Sequence, residues 1–127
     1  TSAVLWLLNE DNMPYYGKTF TNANWAPVSY QKMPGGKGRL VWKDAIGNVR
    51  VQTLNTYETA VESQASIVGN CYQPVCMLKW SDGSNRFVYT NASSGWTSVM
   101  KMSGWTPIDP VWYGPYTNWT ARSYTEK

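Results

Sequence analysis

The sequence predicts an all-β fold, built as an antiparallel β-sandwich or barrel. Short segments rich in β-branched and aromatic residues recur roughly every ten positions, with Gly, Pro, Asn and Asp between them. Charged residues make up 15% of the chain, against about 25% in an average domain, and no segment carries the apolar stripe of a long helix. A length of 127 residues fits a single domain, residues 1–127, with one shared core.

Strand candidates in the first half are separated by clear turn signals. Residues 3–8 form the longest apolar run, which is far shorter than the ~20 residues of a membrane helix. Val49 and Val51 alternate with polar neighbours, which indicates a strand with one wet face. Pro34-Gly-Gly-Lys-Gly38 lacks the spacing of a phosphate-binding loop and is interpreted as a hairpin connection. The candidates are residues 3–8, 17–21, 28–33, 39–43 and 48–54.

The second half continues this rhythm with more proline. Asp82-Gly83 is a strong hairpin signal between two strand candidates. Residues 105–110 are expected to form a loop, because Pro107 and Pro110 cannot donate hydrogen bonds within a central strand. The candidate strands of this half are residues 77–80, 86–89, 96–102 and 120–124.

Two stretches of the chain resemble each other. Phe20-Thr-Asn-Ala-Asn-Trp25 has a counterpart in Tyr89-Thr-Asn-Ala-Ser-Ser-Gly-Trp96, and the two begin 69 positions apart. This spacing suggests a degenerate duplication, with residues 1–57 and 71–127 as pseudo-equivalent halves and residues 58–70 as a connection of little helical character. Chance similarity in a Trp-rich composition is the alternative, because the match requires gaps.

The composition excludes several classes of function. The chain has no histidine, which removes the Ser-His-Asp triad, the Cys-His pair and histidine-based metal sites. No pair among the eight acidic residues has a spacing that points to general acid and base catalysis. A net charge of +3 without any run of Lys or Arg argues against a nucleic-acid partner. We therefore expect no enzyme activity, no metal and no cofactor.

Cysteines and glycosylation sequons favour a secreted protein. Cys71 and Cys76 flank a Gln-Pro turn signal that brings two thiols close, which suits a disulfide in an oxidising compartment. Asn91-Ala-Ser and Asn118-Trp-Thr are N-glycosylation sequons, at Asn91 and Asn118. A cytoplasmic location without a signal peptide is the alternative.

The aromatic residues suggest recognition of sugars. Eight Trp and nine Tyr stand beside only two Phe, and Trp and Tyr combine apolar area with a polar group. An aromatic ring covers the C–H face of a sugar, while Asn, Asp and Thr side chains bond its hydroxyls. Core packing for the Trp residues and turn formation for the Asn residues are the competing structural roles. The candidate carbohydrate-binding residues are Asn22, Trp25, Tyr89, Asn91, Trp96, Trp105 and Trp119.

A small, Trp-rich, His-free all-β chain of this kind resembles the fungal fruiting-body lectins and immunomodulatory proteins. The resemblance is one of type and aligns no residues, so it implies glycan or cell-surface binding without assigning a site. The expected partners are glycans or glycoproteins at a cell surface. The alternatives are a membrane-active defence protein, suggested by the aromatic tract from Trp112 to Trp119, and a receptor-binding protein that self-associates as a homodimer.

Overall fold

The computed structural model describes residues 2–67, 73–91 and 93–122, and this part of the chain is all-β. Within it, no helix is long and apolar enough to cross a membrane. Ten antiparallel strands are present in the described ranges. They are β1 (Ser2–Leu8), β2 (Pro14–Thr21), β3 (Ala26–Lys32), β4 (Gly38–Lys43), β5 (Val49–Leu54), β6 (Val61–Ile67), β7 (Gln73–Lys79), β8 (Asn85–Asn91), β9 (Trp96–Ser103) and β10 (Thr106–Tyr113).

The strands form three sheets, each a simple meander of strands that follow one another in sequence. The N-terminal sheet contains β1 and β2, the central sheet runs in the order β3-β4-β5-β6, and the C-terminal sheet runs in the order β7-β8-β9-β10. The sheets are layered as in a β-sandwich and are not closed into a barrel, so the sandwich alternative of the predicted fold is the one confirmed.

The central sheet is covered on both faces. Successive side chains of a strand point to opposite faces, and β4 uses both. Leu40 and Trp42 pack with Phe20 of the N-terminal sheet in one apolar cluster. Val41 packs with Phe87 of the C-terminal sheet in a second cluster. Two cores therefore hold three layers together, and β4 belongs to both.

Three sequence-based expectations differ from the structure. The predicted connection at residues 58–70 contains strand β6, which pairs with β5. Residues 106–110 of the predicted loop belong to β10, the outermost strand of its sheet, which tolerates proline where the N–H would face solvent. Residues 120–122 are not in a strand, and residues 123–124 lie outside the described ranges.

The stretches aligned by the 69-residue spacing occupy different places in the sheets. In the first stretch, β2 and β3 belong to different sheets. In the second stretch, β8 and β9 are hydrogen-bonded neighbours. The first predicted half, residues 1–57, spans the N-terminal sheet and most of the central sheet, whereas residues 71–127 include the C-terminal sheet. The duplication itself stays a prediction.

A spacing of 47 residues relates positions that are equivalent in the sheets. Arg39 and Val41 on β4 lie 47 positions before Arg86 and Val88 on β8, and both strands are second in their sheets. In both sheets the valine at this position faces away from the sheet that precedes it, since its neighbours Leu40 and Phe87 pack toward that sheet.

Bulges and turns follow the same spacing. Pro27 and Pro74, which are 47 positions apart, each begin a bulge in the first strand of their sheet. The backbone N–H groups of Met33 and Trp80, again 47 positions apart, each donate to the carbonyl four residues later and close the next hairpin. The agreement therefore extends from side chains to backbone irregularities.

The N-terminal sheet extends the pattern by half a unit. Phe20 on β2 lies 47 positions before Ile67 on β6, and both side chains are buried. The β1–β2 and β5–β6 pairs each shift register at the last residue of their first strand, Leu8 and Leu54. The fold thus repeats a unit of four antiparallel strands, which we call the four-stranded unit, and the N-terminal sheet matches its last two strands.

Candidate functional site

A cleft of about 340 Å³ lies beside Trp25, where the β2–β3 link and the β4–β5 turn meet the start of β7. It lies at the junction of two successive four-stranded units, because β4 belongs to one unit and β7 begins the next. We call it the Trp25 cleft. Its lining residues are Asn24, Trp25, Ala26, Lys43, Asp44, Ala45 and Gln73.

The Trp25 ring is held by its surroundings. Asn24 adopts a left-handed backbone (φ 64°), and Trp25 N donates to Asn22 O at 3.2 Å, which turns the chain from one sheet into the next. The guanidinium carbon of Arg50 lies 4.1 Å from the centroid of the Trp25 ring. Arg50 Nη1 also donates to the buried Asn22 Oδ1 at 2.7 Å. The Arg50 guanidinium group thus contacts both Trp25 and Asn22, and it orients the aromatic wall of the cleft.

Asp44 forms part of the polar wall and is anchored in its own turn. Asp44 Oδ1 accepts from the backbone N–H of Ile46 at 3.0 Å and of Asn48 at 2.8 Å. Asp44 Oδ2 accepts from Asn48 Nδ2 at 2.7 Å. Desolvation acts to raise the pKa of Asp44, but these hydrogen bonds outweigh it and hold the pKa below its ordinary value. The carboxylate is therefore charged at neutral pH and fixed in direction.

Lys43 and Gln73 complete the wall from opposite sides of the junction. Lys43 Nζ donates to Gln73 Oε1 at 3.2 Å, which links the central sheet to the first residue of β7. The ammonium has further donors, and the Gln73 amide offers its own NH₂ group. Together with Asp44, the cleft presents charged and neutral donors and acceptors beside a fixed aromatic ring. Such a combination suits a polyhydroxylated ligand with one apolar face.

The structure brings Asn22 and Trp25 together and places the other predicted binding residues elsewhere. Tyr89 belongs to the core between the central and C-terminal sheets, where its ring stacks on Phe87 with centroids 5.8 Å apart. Burial raises the pKa of the Tyr89 hydroxyl to about 12. A side chain packed in this way has no face left for a ligand, so Tyr89 is a core residue.

Asn91 and Trp96 lie opposite each other at the β8–β9 hairpin. Asn91 Oδ1 accepts from the backbone N–H of Ser93 at 3.0 Å and of Ser94 at 3.2 Å, which is the geometry of an Asx turn. Trp96 is half-buried at the start of β9. Asn91 lies 47 positions after Asp44, so it occupies the corresponding place in the next unit rather than the place of Asn22.

Trp105 and Trp119 lie at two further locations. Trp105 is half-buried in the β9–β10 turn, with the guanidinium carbon of Arg39 4.9 Å from its ring centroid. Trp119 is 76% exposed and lines a second cavity of about 570 Å³ against the outer face of the C-terminal sheet. The seven predicted residues are therefore spread over several sites.

The other predicted features fall partly outside the described ranges. Cys71 is not among the described residues, so its pairing with Cys76 stays a prediction. The sequon at Asn91 includes Ala92, which also lies outside them. Asn118 is exposed in a turn with a left-handed backbone (φ 65°).

Sequence reasoning missed Lys43, Asp44 and Gln73. The signal that would have found them is the 47-residue spacing, which aligns Asp44-Ala45 with Asn91-Ala92 and Trp25 with Tyr72. That alignment gives each unit an Asp or Asn followed by Ala in this turn and an aromatic residue 19 positions earlier. Tyr72 lies outside the described residues.

Comparison with protein-family models, with curated proteins and with solved structures found no match.

Proposed function

We propose that this protein binds glycans without catalysis and that the Trp25 cleft is its sugar site. The observation that carries the proposal is the placement of the Trp25 ring, held by Arg50, beside the ionised Asp44. A sugar ring stacks its C–H face on an aromatic ring, and its hydroxyls bond to carboxylate, amide and ammonium groups. The proposed partners are glycans or glycoproteins in an extracellular setting.

The electrostatics of the cleft favour binding over hydrolysis. A glycosidase needs one carboxyl group whose pKa is raised so that it carries a proton to the leaving oxygen. The hydrogen bonds of the β4–β5 turn lower the pKa of Asp44 instead. Both of its oxygens already accept hydrogen bonds from Asn48, which suits a fixed acceptor for hydroxyls.

Substitution of Trp25 by Ala tests the proposal. A glycan array with the unmodified protein first identifies a bound sugar, and titration calorimetry then measures its affinity for each variant. Loss of the stacking surface should weaken binding at least about 10-fold, which corresponds to about 1.4 kcal/mol. Asp44→Asn keeps the size and turn-forming ability of the side chain. It should lower the affinity for the same sugar, because the charged acceptor is removed.

Tyr57→Ala is the matched control, because this aromatic side chain is 81% exposed and lies outside the cleft. It should leave the affinity unchanged. A folded protein that binds no sugar on the array would overturn the proposal. An equal loss of sugar affinity in Trp25→Ala and Tyr57→Ala would show that the sugar does not bind in the Trp25 cleft.

A further inference from the structure

The stack of three sheets ends in an apolar face that no described residue of the chain covers. Val4, Trp6 and Leu8 alternate with the buried side of β1 and lie on the side of the N-terminal sheet that faces away from the central sheet. Their exposed fractions are 47%, 59% and 51%. In the next unit, Leu54 holds the position of Leu8 and is fully buried against the N-terminal sheet.

The opposite end of the stack is the outer face of the C-terminal sheet. Val88, Val99 and Val111 lie side by side on β8, β9 and β10, because each is the register partner of the next. Val88 and Val99 are buried, whereas Val111 at the edge of the sheet is 50% exposed. Tyr113 and Trp119 are exposed next to it and line the 570 Å³ cavity on this face.

The chain itself shows what covers such a face. Val41 on β4 and Val51 on β5 are register partners in the central sheet, as Val88 and Val99 are in the C-terminal sheet. Val41 and Val51 are buried by the apolar cluster they share with Phe87 of the following sheet. The outer face of the C-terminal sheet is thus the same surface, one unit later, and its exposed part, around Val111, Tyr113 and Trp119, fits another sheet of this kind.

The first strands of successive units begin around one shared cavity. A cavity of about 320 Å³ is lined by the corresponding residues Pro27, Pro74 and Ala121, which follow one another at intervals of 47 positions. The first strands of successive units therefore begin close together, and the central and C-terminal sheets approach most closely at β3, β4 and β7 rather than at their outer strands. Sheets arranged around one axis close into a ring when enough of them are present, as in a β-propeller.

We propose that the outer face of the C-terminal sheet binds the β1–β2 sheet of a second copy of this chain, head to tail, and that such contacts close into a ring. The proposal extends the interfaces already present between the three sheets and is independent of sugar binding. Val4, Trp6 and Leu8 of one copy meet Val111, Tyr113 and Trp119 of the next. The contact is heterologous, since its two sides are different surfaces.

Sedimentation velocity and native mass spectrometry of the unmodified chain over a range of concentrations provide the first test. A discrete oligomer should form as the concentration rises. Val4→Glu and Val111→Glu, each placing a charge on one side of the contact, should each raise the dissociation constant at least about 10-fold. Ile46→Glu is the control, because Ile46 is 77% exposed in the β4–β5 turn away from both faces, and it should assemble normally.

Mixing the two variants gives a sharper test of the head-to-tail arrangement. Val4→Glu retains an intact C-terminal face and Val111→Glu retains an intact N-terminal face, so an equimolar mixture should form a one-to-one dimer. Labelling one variant with ¹⁵N distinguishes this dimer from a homodimer by mass. The milder pair Val4→Ser and Val111→Ser serves the same purpose if circular dichroism shows that a glutamate variant is unfolded.

Three results would overturn the proposal. They are a monomeric unmodified protein at all concentrations, assembly that is indifferent to both substitutions, and a mixture that remains monomeric. Vesicles of phosphatidylcholine and phosphatidylserine at a four-to-one ratio test the competing role. Binding to them that requires Val4 and Val111, without self-association, would assign the two faces to a lipid surface instead.

Discussion

Glu58 connects the β5–β6 turn to β3 through a single carboxylate. The residue is buried and has a left-handed backbone (φ 58°). Its Oε1 accepts hydrogen bonds from the Tyr30 hydroxyl and from Lys32 Nζ, the latter at 2.7 Å. Desolvation acts to raise the pKa of Glu58, but the bonds from Lys32 and Tyr30 outweigh it and lower the pKa. For Tyr30, burial together with the neighbouring carboxylate raises the pKa of the phenol.

Replacing Glu58 with Gln should make the stability depend less on pH. A carboxylate whose pKa is lowered by folding stabilises the protein above its ordinary pKa, and this contribution disappears as the pH falls through the lowered value. At pH 7 we expect Glu58→Gln to reduce the free energy of unfolding by about 1–3 kcal/mol, because two hydrogen bonds to a charge are lost or weakened. The difference from the unmodified protein should shrink to near zero in acid.

Urea denaturation of both proteins at pH 7 and at about pH 2.5 measures this effect. Glu10→Gln is the control, because Glu10 is exposed in the β1–β2 turn, and it should change the stability little at either pH. A constant difference between Glu58→Gln and the unmodified protein across this range would show that the ionised form of Glu58 is not the stabilising species.

At the same scale, the sequence identified one residue that lines the candidate site, Trp25, and the residue that anchors it, Asn22. Asn22 and Trp25 lie three positions apart in the chain, and their residue types suggested sugar binding directly. Lys43 at the end of β4, Asp44 in the β4–β5 turn and Gln73 at the start of β7 reach the cleft from other elements, and their positions depend on how successive units pack. Only the three-dimensional arrangement brings an ordinary turn aspartate beside the tryptophan, so its residue type alone gave no reason to select it.

At the scale of elements, Gly95 fastens the segment of residues 114–119 to the β8–β9 hairpin. Tyr116 N donates to Gly95 O at 2.9 Å. Gly95 has a left-handed backbone (φ 75°), and a Cβ added there would lie 2.7 Å from the carbonyl oxygen of Tyr116. Glycine is therefore required both for its backbone conformation and for the close approach of the segment.

Gly95→Ala should detach this segment from the C-terminal sheet. Gly83→Ala is a matched control, because Gly83 has a similar backbone (φ 83°) but no neighbouring atom within 4 Å of the added Cβ. Both variants should lose about 1 kcal/mol from backbone strain, and Gly95→Ala should lose more. Hydrogen exchange should accelerate around Tyr116 in Gly95→Ala alone. Equal exchange in both variants would mean that the segment is held by other contacts.

The strands that the sequence missed have physical explanations. The polar stretch of β6, from Val61 to Ile67, lies at the edge of the central sheet, and most of its side chains are exposed. A strand with few buried side chains has no alternation of apolar and polar residues by which to recognise it. In β10, Pro107 and Pro110 suggested a loop, but an outermost strand tolerates residues that cannot donate.

At the scale of the whole molecule, the two apolar clusters divide the stabilising contacts between pairs of neighbouring sheets. One cluster joins the N-terminal and central sheets, and the other joins the central and C-terminal sheets. Proteins built in this way are stabilised by interactions between nearest neighbours. Leu54 is the last residue of β5 and Met102 the second-last residue of β9, the third strands of successive units, and each is buried in one of the two clusters.

Leu54→Ala and Met102→Ala should each reduce the free energy of unfolding by about 2–5 kcal/mol, but with different local effects. Leu54→Ala should accelerate hydrogen exchange in β1 and β2, because it opens the cluster that holds the N-terminal sheet. Met102→Ala should accelerate exchange in the C-terminal sheet and leave β1 and β2 protected. Identical exchange patterns would show that the three sheets unfold as one cooperative unit.

The all-β class followed from the regular alternation of strand and turn signals, and the structure confirms it. The 47-residue unit could not be recognised from the sequence, because few equivalent positions keep the same residue. Arg39 and Arg86 are one pair that does. Packing requires only an apolar side chain at most of these positions, so Leu40 and Phe87 replace each other. What the units share most strictly is the placement of turns and bulges.

The position of the Trp25 cleft at the junction of two units bears on the kind of glycan surface that this protein would recognise. A ring of such junctions would hold its clefts at fixed distances, all at the same end of the molecule. A single cleft holds an isolated sugar only briefly. Several clefts can rebind neighbouring sugars before the protein dissociates from the surface. Avidity of that kind responds to how densely glycans are crowded on a surface more than to the identity of any one of them.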